Sequence, residues 1–294
     1  MAGWPGALVA TPALSLNAFT RNSAEQPGVF GKQFLACKST LISSTSKGFG
    51  KRSSKPLDGF SQQNACACYH HCVTVRGRFI TFEGLDGSGK TTQIEKLAAT
   101  LRDQRIRVHL TREPGGTVFG ETIRHLILDS ATSKLSANTE LALMFAARTQ
   151  HLDEVILPAL EAGDYVLCDR FTDSTEAYQG GGRQLGSKSV LVLHRVLCAD
   201  LQPDLTILLD CDLNFSLNRA RHRNLVTSAA GHRDENRFEQ EDPDFFARVH
   251  NKFHEIAERE PKRVAVIDAR DTPEETHQKI LATIQERLQI LLSR

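Results

Sequence analysis

The stretch FITFEGLDGSGKTTQIEKL, residues Phe79 to Leu97, leaves little freedom in how this chain can fold. Gly84-Leu85-Asp86-Gly87-Ser88-Gly89-Lys90-Thr91 matches G-x-x-x-x-G-K-[ST], a loop whose backbone N–H groups cradle phosphates. The pattern carries meaning only between a strand and a helix, and both are legible. Phe79, Ile80, Thr81 and Phe82 are β-formers in a short apolar run, as in a buried parallel strand. Ile94, Leu97, Ala98 and Leu101 recur along one face of a helix. Glycines let the N–H groups turn inward, and the new helix aims its positive dipole end at the same spot. Lys90 is expected to reach the β- and γ-phosphates and the Thr91 hydroxyl to ligate Mg²⁺, with Thr92 closing the run that holds ATP. The chain reads as a nucleoside triphosphate binder.

From Arg76 onward, short apolar strands alternate with helical patterns, the signature of βαβ units and a parallel sheet. Strands are expected at Arg78–Phe82, Val108–Leu110, Tyr165–Cys168, Leu205–Leu209 and Val264–Ile267. Helices are expected around Thr91–Gln104, Gly120–Leu128, Ala137–Glu161, Ser187–Cys198, Phe215–Arg223, Phe245–Arg259 and Pro273–Leu292. Ser136 or Asn138 caps the third, Pro158 kinks it and Gly163 closes it. The expected fold class is α/β: one doubly wound, five-stranded parallel sheet flanked by helices, with ligands at the carboxyl ends of the strands.

Residues 1–74 have a different character. They are rich in Ser, Gly and Lys, and Glu25 is the first acid before Asp58. Two origins stay open: a transit peptide to plastid or mitochondrion, or a start assigned upstream of a true one near Val73 or Val75, which implies a cytoplasmic protein. Either way 1–74 is expected to be a disordered leader and 75–294 the folded domain. The cluster CACYHHC, Cys66 to Cys72, is a weak half-site for zinc. Cys168, Cys198 and Cys211 lie in or beside apolar segments and read as small core residues. No apolar run is long enough to span a bilayer, so no membrane partner is expected. A net charge of +1 argues against a general nucleic-acid binder.

The other strand ends indicate what the triphosphate is used for. HLTREPGGT places Arg112 and Glu113 after the second strand, and YVLCDRFTDSTEAYQGGGR places Asp169 and Arg170 at the end of the third. RARHRN adds Arg219, Arg221 and Arg223 at the end of a helix. Together with EGLDGSGKTTQ, these segments resemble bacterial-type thymidylate kinase over essentially all of residues 76–294, a P-loop nucleotide kinase that phosphorylates dTMP with ATP. Asp169 follows an apolar strand and is placed to hold Mg²⁺ beside Thr91. Arg112 and Arg170 suit a bidentate grip on the acceptor phosphate, with Glu113 beside them.

The resemblance also implies roles that the residues alone do not show. Asp86 accepts a hydrogen bond from the 3′-hydroxyl of the deoxyribose. Phe145, or its neighbour Met144, stacks on thymine, and Arg148 bonds a base carbonyl. Ser174, Tyr178 and Gln179 line the deoxynucleotide, with Tyr178 near the sugar. Arg219, Arg221 and Arg223 close over the triphosphate as a lid, which a phosphate loop without its own arginine requires. A homodimer is implied as well. The rival readings are another deoxynucleotide or deoxynucleoside kinase, and a nucleotide-binding regulator without turnover.

Overall fold

A strand covered on both faces must be buried along its whole length, and β1 (Phe79–Glu83) is buried at every position in the computed structural model. The description covers residues 76–130, 135–213, 215–216, 218–219 and 237–290, all within the unit Cys68–Arg294. β1 joins β2 (Val108–Arg112), β3 (Tyr165–Asp169), β4 (Leu205–Asp210) and β5 (Val264–Asp268). The sheet order is β2-β3-β1-β4-β5, and every pairing is parallel. The expected five-stranded, doubly wound α/β architecture is present.

The helices are α1 (Lys90–Asp103), α2 (Val118–Leu128), α3 (Ala137–His151), α4 (Leu157–Glu161), α5 (Thr172–Thr175), α6 (Ser187–Leu197), α7 (Pro243–Arg259) and α8 (Pro273–Leu288). Alternation along the strands sorts side chains to two faces. Ile80, Phe82, Leu167, Ile207 and Ile267 pack with Leu97 of α1 and Ile280 and Ile284 of α8. Phe79, Val166 and Cys168 pack with Leu141 and Phe145 of α3 and Val190 of α6. Cys168, Cys198 and Cys211 are buried free thiols, in keeping with their reading as core residues. Thr117, Ser136, Asp242 and Thr272 each cap a helix by accepting a backbone N–H, worth about 1 kcal/mol apiece. Among the described residues, no helix is long and apolar enough to cross a membrane.

Several boundaries differ from the sequence expectation. Each strand runs past its apolar stretch to a charged residue: Glu83, Arg112, Asp169, Asp210 or Asp268. The hydrogen-bond ladder extends into these polar positions, which an apolar pattern cannot register. The helix expected over Ala137–Glu161 is interrupted by a π turn, Leu152–Ile156, where Leu157 N–H bonds Leu152 O. Pro158 follows at once; it has no N–H and its ring would strike the carbonyl four residues back, so the wider turn accommodates it. The segment after β3, to which the sequence reading assigned no helix, is helical: α5 passes into a second π turn, Glu176–Gly182. The last helix stops at Leu288, with Gln289 in left-handed conformation. Arg221 and Arg223 lie outside the described residues, as does the leader.

Tight packing explains the last two of the three glycines, Gly181 and Gly182. A Cβ on Gly182 would meet the Phe245 ring at 2.5 Å and Val249 Cγ2 at 2.9 Å, so only hydrogen fits between the π turn and α7. Gly182→Ala should lower unfolding free energy by about 1–3 kcal/mol through overpacking. A urea melt measures the loss, and an unchanged midpoint would contradict this contact.

Candidate active site

The loop after β1 owes its shape to local backbone geometry. Gly84, Gly87 and Gly89 have φ of 127°, 84° and 99°, a region that side chains disfavour. At Gly84 a Cβ would also sit 2.5 Å from Leu209 O, so the loop is pressed against the end of β4. Gly89 caps α1, and Gln93 N–H bonds Gly89 O at 3.1 Å. Ser88 N–H bonds Leu85 O at 3.2 Å, closing the turn. Lys90 is buried and donates from Nζ to Gly84 O (3.1 Å) and Leu85 O (2.8 Å). Burial first, and the charge of Arg170 second, lower its pKa to about 8. Thr91 and Thr92 are exposed at the start of α1. Thr91 Oγ1 donates to Asp169 Oδ2 at 3.4 Å. Asp169 Oδ1 is buried and has no hydrogen-bond partner.

Arg170 leaves β3 in left-handed conformation, φ 70°, which turns its side chain back over the phosphate loop. Its Nη1 donates to Gly84 O (3.1 Å) and Ser174 Oγ (2.8 Å). Its Nη2 donates to Asp86 Oδ1 (2.8 Å) and to Tyr178 OH (3.4 Å). Tyr178 in turn donates to Asp86 Oδ2 at 3.2 Å. Burial opposes the guanidinium charge, but Asp86 and the groups around it outweigh burial and raise the Arg170 pKa. Asp86, Arg170, Ser174 and Tyr178 therefore converge on one point. Arg112 stands apart. It is exposed and donates to Glu121 Oε2 at 2.9 Å. Arg219 is exposed too, with its guanidinium 5.5 Å from the Phe215 ring centroid.

A second convergence lies deeper. Glu113, expected at the ligand, is itself buried: Oε2 accepts from Arg148 Nε (2.6 Å), and Oε1 lies 2.9 Å from His151 Nδ1. Burial raises its pKa, but Arg148 and His151 bring the net shift below the usual carboxylate value. Arg148 also donates to Thr175 Oγ1 at 2.8 Å and lies 5.0 Å from the ring centroids of Phe145 and Phe171. Its Nη1 has no hydrogen-bond partner. Met144 packs elsewhere, with Ile123 and Ile127, so Phe145 is the residue that shares a cluster with Phe171 beneath Arg148. Gln179 donates to Glu140 Oε1 at 2.7 Å, while its own Oε1 is buried without a partner.

Several supporting residues went unassigned at the sequence level. Glu83 ends β1 fully buried, accepts from Phe171 N–H at 2.7 Å, and has its pKa raised to about 8 by burial first and Asp173 second. Asp173 is gripped by both Nη atoms of Arg263, at 2.7 and 3.0 Å. Glu140 accepts from Arg183 and Arg237 as well as Gln179. The only local signal was the presence of acids inside otherwise apolar stretches, EGLDG for Glu83 and ELALMF for Glu140.

A parallel sheet with a phosphate loop after its central strand, a lysine and a threonine–aspartate pair at that loop, and an arginine tying it to the helix after β3 define a P-loop phosphotransferase. A family model described as thymidylate kinase matches residues 82–280. A thymidylate kinase from Pelobacter propionicus is 47% identical over 213 residues, covering 72% of this chain and 96% of that protein. One from Pseudomonas syringae pv. syringae is 47% identical over 218 residues, covering 74% and 96%. The crystal structure of thymidylate kinase from Ehrlichia chaffeensis superposes with a TM-score of 0.58 at 32% identity, covering 71% of this chain and all of that one. The chain belongs to the thymidylate kinase family.

The Lys90 environment has a consequence for pH. Phosphates replacing carbonyls as acceptors raise the lysine pKa from about 8, so ATP binding should take up a proton near that pH. Affinity should be level below pH 8 and fall above it, by up to about tenfold per pH unit. Calorimetric titrations in buffers of different ionisation enthalpy check both the uptake and the slope. Affinity that stays level to pH 9.5 would contradict the assignment.

Proposed function

We propose that the chain transfers the γ-phosphate of ATP to dTMP, giving dTDP and ADP, with Arg170 at the junction of donor and acceptor. The observation that carries this reading is the set of bonds made by one guanidinium. It holds the phosphate loop at Gly84 and the Asp86–Tyr178 pair at the same time. The alternative of a different nucleoside or nucleotide kinase finds no support among the relatives, which are thymidylate kinases.

The loop N–H groups of Gly84 to Thr92 receive the triphosphate of ATP, and Lys90 exchanges its two carbonyls for the β- and γ-phosphates. Mg²⁺ fits the pair formed by Thr91 and Asp169, since both offer hard oxygens and Asp169 Oδ1 is unpartnered. When bound there, Mg²⁺ would offset the negative charge of the transferring phosphates. Arg170, joined by Arg112 once it leaves Glu121, holds the dTMP phosphate in line with the γ-phosphorus. An anionic oxygen of dTMP forms the new bond to that phosphorus while the bond to the β,γ-bridging oxygen breaks, its electron pair leaving with ADP. The attacking oxygen carries no proton, so no general base is needed.

At the acceptor, Asp86 takes the 3′-hydroxyl and Tyr178 lies against the sugar, where a 2′-hydroxyl would crowd it. Phe145 forms the floor for thymine. Arg148 Nη1 and Gln179 Oε1 supply one unpartnered donor and one unpartnered acceptor, matching the carbonyl and N3–H of the base. Glu113 positions Arg148 rather than touching ligand. Arg219, Arg221 and Arg223 form the lid that stabilises charge on the transferring group. A second copy of the chain is the proposed partner. Val192 and Val196, one turn apart on α6, are 48% and 72% exposed and offer it an apolar contact.

ADP release measured over a panel of acceptors tests the function. dTMP should support turnover at least about tenfold faster than dCMP, dGMP or thymidine, and thymidine preferred over dTMP would overturn the reading. Lys90→Ala should lower kcat about a hundredfold or more with an unchanged circular dichroism spectrum.

The domain is proposed to be 75–294. The family model begins at residue 82, and the relatives are nearly fully covered by about three quarters of this chain. Deleting residues 1–74 should leave turnover unchanged and shift the melting temperature by no more than a few degrees. A larger fall means that the leader packs on the kinase.

A further inference from the structure

Among the described residues, one group of three metal-ligating side chains brings its donor atoms together outside the phosphate-transfer site: Asp210, His250 and His254. The arrangement follows from two local rules. His250 and His254 are four apart on α7, so both rings leave the same helix face. Asp210 is the last residue of β4, at the carboxyl edge of the sheet. The helix packs so that its two imidazoles meet that strand end.

Both histidines address one oxygen. Asp210 Oδ1 lies 2.9 Å from His250 Nε2 and 3.3 Å from His254 Nε2. All three donor atoms lie within 4.8 Å of one another, and the ring centroids are 4.6 Å apart. A tetrahedral zinc ion with Zn–N and Zn–O distances of about 2.0–2.2 Å separates its ligand atoms by about 3.3–3.5 Å. The two oxygen–nitrogen separations are within a few tenths of an ångström of that requirement, so closing on an ion needs only small side-chain rotations. The three side chains are about one third exposed, which leaves an entry path and an open coordination position.

The donor set also discriminates between ions. Two imidazoles and one carboxylate suit zinc and its transition-metal neighbours, whereas Mg²⁺ favours oxygen alone. Thr91 with Asp169 offers only oxygen, so the two places call for different cations. We infer that Asp210, His250 and His254 form a site for a divalent ion of the zinc class, with water in the remaining position. The site shares a pocket with Gly84 and Leu85, the residues whose carbonyls hold Lys90. An ion there ties β4 to α7 directly behind the phosphate loop.

Zinc chloride titrated into the chelator-treated full chain, against a competing chromophoric chelator, tests the inference. Cys66, Cys68, His70, His71 and Cys72 also offer zinc ligands, so the quantity read is the difference between variants. The wild type should bind one more zinc ion per chain than His250→Gln/His254→Gln. Asp210→Asn, which keeps an acceptor for either histidine, should weaken that ion at least tenfold. Affinity should fall as pH drops through the imidazole range, because only neutral rings bind metal. Turnover of the folded variants with ATP and Mg²⁺, zinc omitted, reports that they are intact. Equal zinc stoichiometry and affinity in wild type and both variants would overturn the site.

Discussion

A guanidinium held largely out of water has to be ringed by acceptors, and Arg170 meets that demand by drawing on segments far apart in the chain. The phosphate loop contributes Gly84 O and Asp86, and the helix after β3 contributes Ser174 and Tyr178. Satisfying one charge therefore sets the distance between the phosphate loop and the helix after β3. The left-handed backbone at Arg170 makes this possible, since an extended residue there would send the side chain away from the loop. Removing the arginine would leave Asp86 and Tyr178 without their common partner, so its effect would reach both segments at once.

The layer beneath is also built from charges made safe by pairing. Glu113 with Arg148 and His151, Asp173 with Arg263, and Glu176 with Arg259 each bind a carboxylate to another element, the last two carboxylates belonging to the helix after β3 itself. Such pairs do little for net stability, because desolvation offsets much of their attraction. They fix direction instead. Arg148 is buried beside two phenylalanine rings, and Glu113 with Thr175 decides which of its nitrogens is left over.

How much of this was legible in the sequence depended on separation along the chain. The phosphate loop is made by neighbours, so GLDGSGKTT disclosed its strand, its helix and where Lys90 and Thr91 stand between them. Asp169 and Arg170 were legible because an apolar strand announces where its end must be. The helix Thr172–Gly182 was not, since Asp, Ser, Thr and three glycines disfavour helix locally, and packing on α7 with bonds to Arg148 and Arg263 holds it. Glu113 was placed at the ligand because it adjoins Arg112, yet its true partners are 35 and 38 residues away. Asp210 and the two histidines are 40 and 44 residues apart, and no local pattern joins them.

All the strands of a parallel sheet end on one edge, and here each ends on an ionisable side chain: Glu83, Arg112, Asp169, Asp210 and Asp268. Four of the five are acids, on the edge where a polyanion has to land. Burial keeps Glu83 protonated up to about pH 8, Asp268 is paired with Arg270, and Asp210 faces His250 and His254, so most of this acidic edge is answered from within the protein. Asp169 alone among these acids keeps a buried oxygen without a partner, and the shared polarity of the strands is what brings that oxygen beside the phosphate loop.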